Sequence, residues 1–147
     1  MTLASPPSHV DLAARLRLAV TRTARRLRQE AGTDLSPSLT AALATVERHG
    51  PLTPSELAAL ERVQRPTATR IAARLEAEGL VERTGDPRDG RVCLLSATPR
   101  GTALLHKLRT RKNAYLARRI RGLPPEDQAA LERAADVLER MLEDERR

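Results

Sequence analysis

Thr67, Arg70 and Arg74 stand three and four residues apart in the run RPTATRIAARLEAEG. At helical spacing they share one face, a small hydroxyl beside two guanidinium forks. A planar fork donates in pairs to guanine O6 and N7 or to phosphate, and a threonine suits a thymine methyl or a phosphate. Farther along, Arg88 and Arg91 sit on either side of an Asp-Gly pair. Arginines on a narrow projecting loop suit the negative potential of a narrow minor groove. Asp86 and Asp89, in the same stretch, are expected to hold the wing arginines in place, with Asp86 orienting Arg91 from across the loop, since a carboxylate fixes a guanidinium in a defined direction. Alone, the helix set reads better as a solvated surface, and a plain solvated hairpin competes seriously for Arg88 and Asp89. Their order along the chain favours contact with double-stranded DNA.

Elements that could hold these side chains are legible on both sides. Thr53-Pro54-Ser55-Glu56 fits a capping box with proline at the first helical position. Leu57, Ala58 and Leu60 give the short helix that follows an apolar face. Glu61 to Gln64 breaks the pattern, and Arg65-Pro66 opens a second helix. There Ala68, Ile71, Ala72 and Leu75 recur on the side expected to face the core. Gly79 closes it. Leu80–Arg83 and Arg91–Ser96 are strand-like runs, and Thr84–Gly90 reads as the loop between them. A helix-turn-helix presents its second helix to the major groove, and a hairpin just after it reaches the flanking backbone.

This order, with Arg65-Pro66-Thr67-Ala68-Thr69-Arg70, Gly79-Leu80-Val81-Glu82-Arg83 and Asp86-Pro87-Arg88-Asp89-Gly90-Arg91, resembles the MarR family of winged-helix transcriptional regulators. The likeness covers roughly residues 36–105. The wing pattern, Asp-x-Arg-x-x-Arg before an apolar strand and a Thr, is its most specific part. One departure is Ala97-Thr98 where Leu-Thr is common. The resemblance implies a homodimer on a palindromic operator, joined by its first helix and last two helices. It implies that Thr67, Thr69 and Arg70 meet DNA from the recognition helix and that Arg91 enters the minor groove. The candidate DNA-binding set is Arg65, Pro66, Thr67, Thr69, Arg70, Arg74, Arg88 and Arg91, with Asp86 as wing-orienting residue.

The 147 residues make one domain in size, with formal charge +7 and sequence pI about 11.0. That balance favours nucleic acid or an anionic surface. Residues 53–98 nevertheless hold equal numbers of acids and bases. The excess lies in Arg15 to Arg28 and in the acid-free stretch from Arg100 to Arg121. The tail after Pro124 is acidic, and could pair with that basic helix in its own chain or in a partner. The expected architecture is mostly α with a small β-wing, a winged helix-turn-helix core flanked by dimerisation helices. The expected parts are a disordered leader 1–8, an N-terminal dimerisation helix 9–34, a DNA-binding domain 35–100 and C-terminal dimerisation helices 98–147.

Catalytic chemistry is not expected. Cys93 is the lone cysteine and reads as a small apolar strand residue. His9, His49 and His106 are scattered, and no Gly-rich phosphate loop or nucleophile elbow appears. No cofactor or metal is expected. No apolar run approaches the ~20 residues of a membrane span, and no signal peptide is recognisable, so a cytoplasmic protein is expected. A ligand-responsive repressor is the leading reading, its inducer a small molecule held among Leu, Ala, Val and Arg, because Tyr115 is the single aromatic residue. A non-specific architectural DNA binder is the alternative.

Overall fold

A computed structural model of the chain describes residues 8–145. Six helices and one hairpin follow in the order α1 (His9–Ala31), α2 (Pro37–His49), α3 (Pro54–Glu61), α4 (Arg65–Ala77), β1 (Val81–Asp86), β2 (Asp89–Ala97), α5 (Pro99–Arg121) and α6 (Pro125–Asp144). The fold is mostly α with a small β-wing, as the sequence suggests. The expected disordered leader lies outside the described residues except for Ser8. That residue caps α1, its hydroxyl accepting from the Asp11 N–H at 3.1 Å.

Short polar residues and prolines set the helix starts. Ser36 and Thr53 accept from the N–H groups of Leu39 and Glu56, at 3.3 and 3.1 Å, and proline opens the helix after each cap. Such caps satisfy backbone donors that have no partner inside the helix.

The chain divides after Lys112 into two compact units. In the first, one apolar cluster joins Leu43 and Val46 of α2, Leu57 of α3, Ala68, Ala72 and Leu75 of α4, Val81 and Leu95 of the hairpin, and Leu105 of α5. Leu52 and Leu95 exchange backbone hydrogen bonds at 3.1 and 2.7 Å, tying the α2–α3 connection to β2. The four apolar positions expected to face inward from α4 do so, Ile71 only partly. Leu60 does not: it is half exposed on α3. An eight-residue helix makes two turns, too few for its spacing to settle which apolar residue points outward.

The second unit begins at Asn113 and holds the end of α5 and all of α6. None of the residues of α6 is buried. Its stripe of Leu131, Val137, Met141 and Leu142 is open, and so is the α1 stripe of Leu12, Leu16 and Val20. No helix among the described residues is long and apolar enough to cross a membrane.

Candidate nucleic-acid interface

Two α-helices joined by three residues form the centre of the site. The turn, Arg62 to Gln64, is tight because Arg62 adopts a left-handed conformation (φ 53°, ψ 45°). Its N–H reaches the Ala59 carbonyl at 3.3 Å, and the Val63 N–H reaches Ala58 at 3.0 Å. Val63 then folds against the core. The sequence marks the break here but not the left-handed residue, because an arginine gives no such signal.

Burial of Ala68, Ala72 and Leu75 fixes the rotation of α4. At 3.6 residues per turn the opposite side carries Pro66, Thr69 and Arg70, all exposed, with Thr67 half-buried at its margin. Arg65 shares the flank of Thr69. Arg74 points to the other flank, 3.3 Å from Glu78, where both line a cleft of about 400 Å³ with Asp34 and Arg100. The six candidates on α4 thus fan across its open side rather than forming one line.

The wing is longer and tighter than expected. The loop foreseen over Thr84–Gly90 is mostly ladder: β1 runs to Asp86 and β2 resumes at Asp89, leaving Pro87-Arg88 as the turn. Arg83 pairs with Leu95 and Gly85 with Cys93, and the register shifts between Gly85 and Asp86. Gly, Asp and Pro are turn residues, so the sequence pattern marked more loop than a two-residue turn requires.

Arg88 and Arg91 project from this tip, with 94% and 92% of their side chains exposed. The carboxylate beside Arg91 is Asp89, not Asp86. Asp89 Oδ1 accepts from the Arg91 backbone N–H at 3.1 Å and from its Nε at 3.2 Å. Asp86, more enclosed, accepts from the Arg88 N–H at 2.8 Å and stands 3.8 Å from the Arg88 Nε. Asp86 therefore shapes the turn and holds Arg88. The pairing follows from the hairpin register, which residue types alone left open.

One contact had no counterpart in the sequence reading. Arg83 Nε on β1 donates to Glu76 Oε2 on α4 at 2.5 Å. This hydrogen bond raises the Arg83 guanidinium above its usual pKa, against the smaller opposing effect of partial burial; Cys93 adds a minor push in the same direction. Seven residues separate the pair across a helix end and a left-handed glycine, so no periodicity announces it.

A second concavity lies away from these arginines. The end of α1, α2 and the first half of α5 enclose about 890 Å³. Leu27, Leu35, Ala44 and Leu108 supply apolar walls; Arg25, Arg28, Arg109 and Lys112 supply cations. Arg109 Nη1 is bound to Glu47 at 2.9 Å, and Arg111 Nη1 holds the Ala31 carbonyl at 2.9 Å beside the hollow. Among the described residues no group of three His, Cys, Asp or Glu side chains could hold a metal ion.

Against known proteins, a family model described as MarR family matches residues 35–93. An HTH-type transcriptional regulator of Mycobacterium tuberculosis is 37% identical over 132 residues, covering 89% of this chain and 92% of its own. The HTH-type transcriptional repressor MdtR of Bacillus subtilis is 32% identical over 93 residues, 63% of this chain and 60% of its own. Among solved structures, a transcriptional regulator of Pseudomonas aeruginosa superposes with a TM-score of 0.82 at 34% identity. It covers 93% of this chain and 98% of its own.

Proposed function

The chain belongs to the MarR family of transcriptional regulators, and from that footing we propose that it is a cytoplasmic repressor binding a palindromic operator as a homodimer. One observation carries the reading. The open side of α4 presents Thr69 and Arg70, and the adjoining wing holds Arg88 and Arg91 almost wholly in solvent. Helix and hairpin together match a major groove and the minor groove beside it. The relative named a repressor gives the sign of regulation its support.

Dimerisation rests on the apolar stripes of α1 and α6. Leu12, Leu131 and Leu142 are about half exposed, and contiguous apolar faces of this kind on soluble proteins mark association. Charge is consistent with it: α1 carries six arginines against Asp11 and Glu30, while α6 is rich in Asp and Glu. A second copy brings such faces together and places two recognition helices on one duplex.

The hollow between α1, α2 and α5 is the effector site in this reading. Arg25, Arg28 and Lys112 around apolar walls, beside an Arg109 already bound to Glu47, suit an organic anion, and the volume is that of a small-molecule pocket, about 300–1,000 Å³. An anion there draws on α1 and α5 together, the helices that frame the DNA-binding core.

Selection of duplexes from a random-sequence pool by the full chain tests the proposal. Recovery of one inverted repeat, retained under excess random competitor, is expected. Equal competition by all sequences would identify a non-specific architectural binder instead.

A further inference from the structure

Glu76 sits on the flank of α4 that carries Thr69 and Arg65, seven and eleven residues before it on one side of the helix. It is exposed and negative, next to the surface assigned to DNA. By Coulomb's law alone a carboxylate there opposes a phosphate backbone. It is also the α4 partner in the one side-chain hydrogen bond, among the described residues, that joins this helix to the hairpin.

The hairpin needs such a tie. Its base is anchored: Val81 and Leu95 are buried, and Arg83 pairs with Leu95. Beyond Arg83 the support thins: Val92, Cys93 and Leu94 of β2 are only half-buried. Thr84 and Gly85 are exposed, and a side chain built at Gly85 or Gly90 would meet nothing within 4 Å. With ~3.3 Å per residue, the turn stands about 15 Å past Arg83, so a tilt of ~10° at the base moves it by roughly 2–3 Å. A hydrogen bond does not survive that displacement. Arg88 and Arg91 therefore reach their targets only if the ribbon keeps its angle to α4.

We propose that Glu76 and Arg83 are positioning residues, a strut that sets the angle between recognition helix and wing and so the spacing of their two DNA contacts. This rests on the DNA-binding reading above. The strut spans α4 and β1, with Cys93 of β2 beside Arg83. It adds little to folding, since partly exposed ion pairs contribute only about 0–1 kcal/mol. Its work is directional: the Nε–carboxylate bond fixes where Arg83, and with it the ribbon, can lie.

The test uses the full chain and a duplex selected from a random-sequence pool by the wild type. Glu76→Gln should weaken binding to that duplex by about tenfold, the loss of one well-placed charge-assisted hydrogen bond, although it removes a negative charge. Random duplex should lose less. In the Glu76→Gln background, Arg91→Ala should cost far less than in wild type, because the wing arginine is already misplaced. The exchanged pair, Glu76→Arg with Arg83→Glu, should recover most of the affinity. Unfolding temperature should stay within about 4 °C of wild type, as a surface pair allows. Equal or tighter binding by Glu76→Gln, or Arg91→Ala costs that simply add, would overturn the strut while leaving the DNA-binding reading intact. A fall in unfolding temperature that accounts for the lost affinity would also overturn it, making the pair a stabiliser only. If the wild type selects no sequence, the DNA-binding reading fails and the strut fails with it.

Discussion

Thr98 Oγ1 donates a 2.7 Å hydrogen bond to the carbonyl of Gly79, nineteen residues earlier. The same oxygen accepts from the Gly101 N–H at 3.1 Å, capping α5. Gly79 ends α4 in a left-handed conformation (φ 73°) that suits glycine. One hydroxyl thus joins the end of the recognition helix to the start of α5. The approach is close: a Cβ on Gly101 would stand 2.2 Å from the Leu80 carbonyl oxygen.

Thr98→Val should lower stability by about 0.5–1.5 kcal/mol, since it deletes both bonds while keeping shape. Thr98→Ser should retain most of it. Gly101→Ala should cost more, about 1–3 kcal/mol, because a methyl there collides with backbone that cannot swing aside. Denaturant midpoints rank the three. Gly101→Ala as stable as wild type would mean that α5 does not pack this closely on Leu80.

Arg62 gives a change of opposite sign. Left-handed backbone costs an L-residue roughly 1–2 kcal/mol, and Arg62 occupies it at φ 53°. Arg62→Gly should remove that strain, partly offset by the greater freedom of glycine in the unfolded chain. A net gain below about 1 kcal/mol is expected, with none for Arg62→Ala, which keeps its Cβ. Paired urea titrations decide it, and a loss in the glycine variant would contradict the account.

These two joints show where the sequence was legible. Ser36-Pro37, Thr53-Pro54, Arg65-Pro66 and Thr98-Pro99 mark their helix starts, because caps and prolines act within one turn. The stripe Ala68, Ala72 and Leu75 likewise faces the core. Long-range placement was not legible. Glu76 meets Arg83 only after the chain turns through Gly79, and Asp89 rather than Asp86 reaches Arg91 only once the hairpin register is set. The apolar residues of α1 and α6 recur at helical spacing, yet nothing among the described residues of one chain buries the α6 stripe.

A dimer should be seen by light scattering at micromolar concentration. Leu131→Glu, or Leu138→Glu on the same stripe, should shift the mass to a monomer, because burying an unpaired carboxylate costs more than such a contact returns. Thr84→Glu, at an exposed position on β1 away from the end helices, serves as control and should leave the mass unchanged. A monomer mass for the wild type would remove the homodimer from the proposal.

Salt separates charge from sequence reading. Each phosphate neutralised contributes a slope of about −0.9 to log K against log salt, so two wings and two helices should give a steep line. Arg70→Ala should cost about 1–3 kcal/mol and relax the sequence preference if Arg70 reads a base edge. An equal loss on operator and random duplex would assign Arg70 to phosphate alone.

The wing arginines provide the last prediction. Asp89 holds Arg91 through both backbone and side chain, whereas Asp86 holds Arg88 chiefly through its backbone N–H. Arg91→Ala should weaken operator binding by tenfold or more, about the worth of one charged contact. Its unfolding midpoint should not move, because a side chain 92% exposed contributes no packing. Asp89→Asn keeps an acceptor in place but weakens its hold on the guanidinium. It should therefore reduce affinity by a smaller factor, even though it removes a negative charge from the exposed wing tip. Asp86→Ala should act on Arg88 and on the shape of the turn, and its effect should disappear in an Arg88→Ala background. Tighter binding by Asp89→Asn would show that the carboxylate merely repels phosphate. If Arg88→Ala abolishes binding while Arg91→Ala leaves it unchanged, the minor-groove role passes from Arg91 to Arg88.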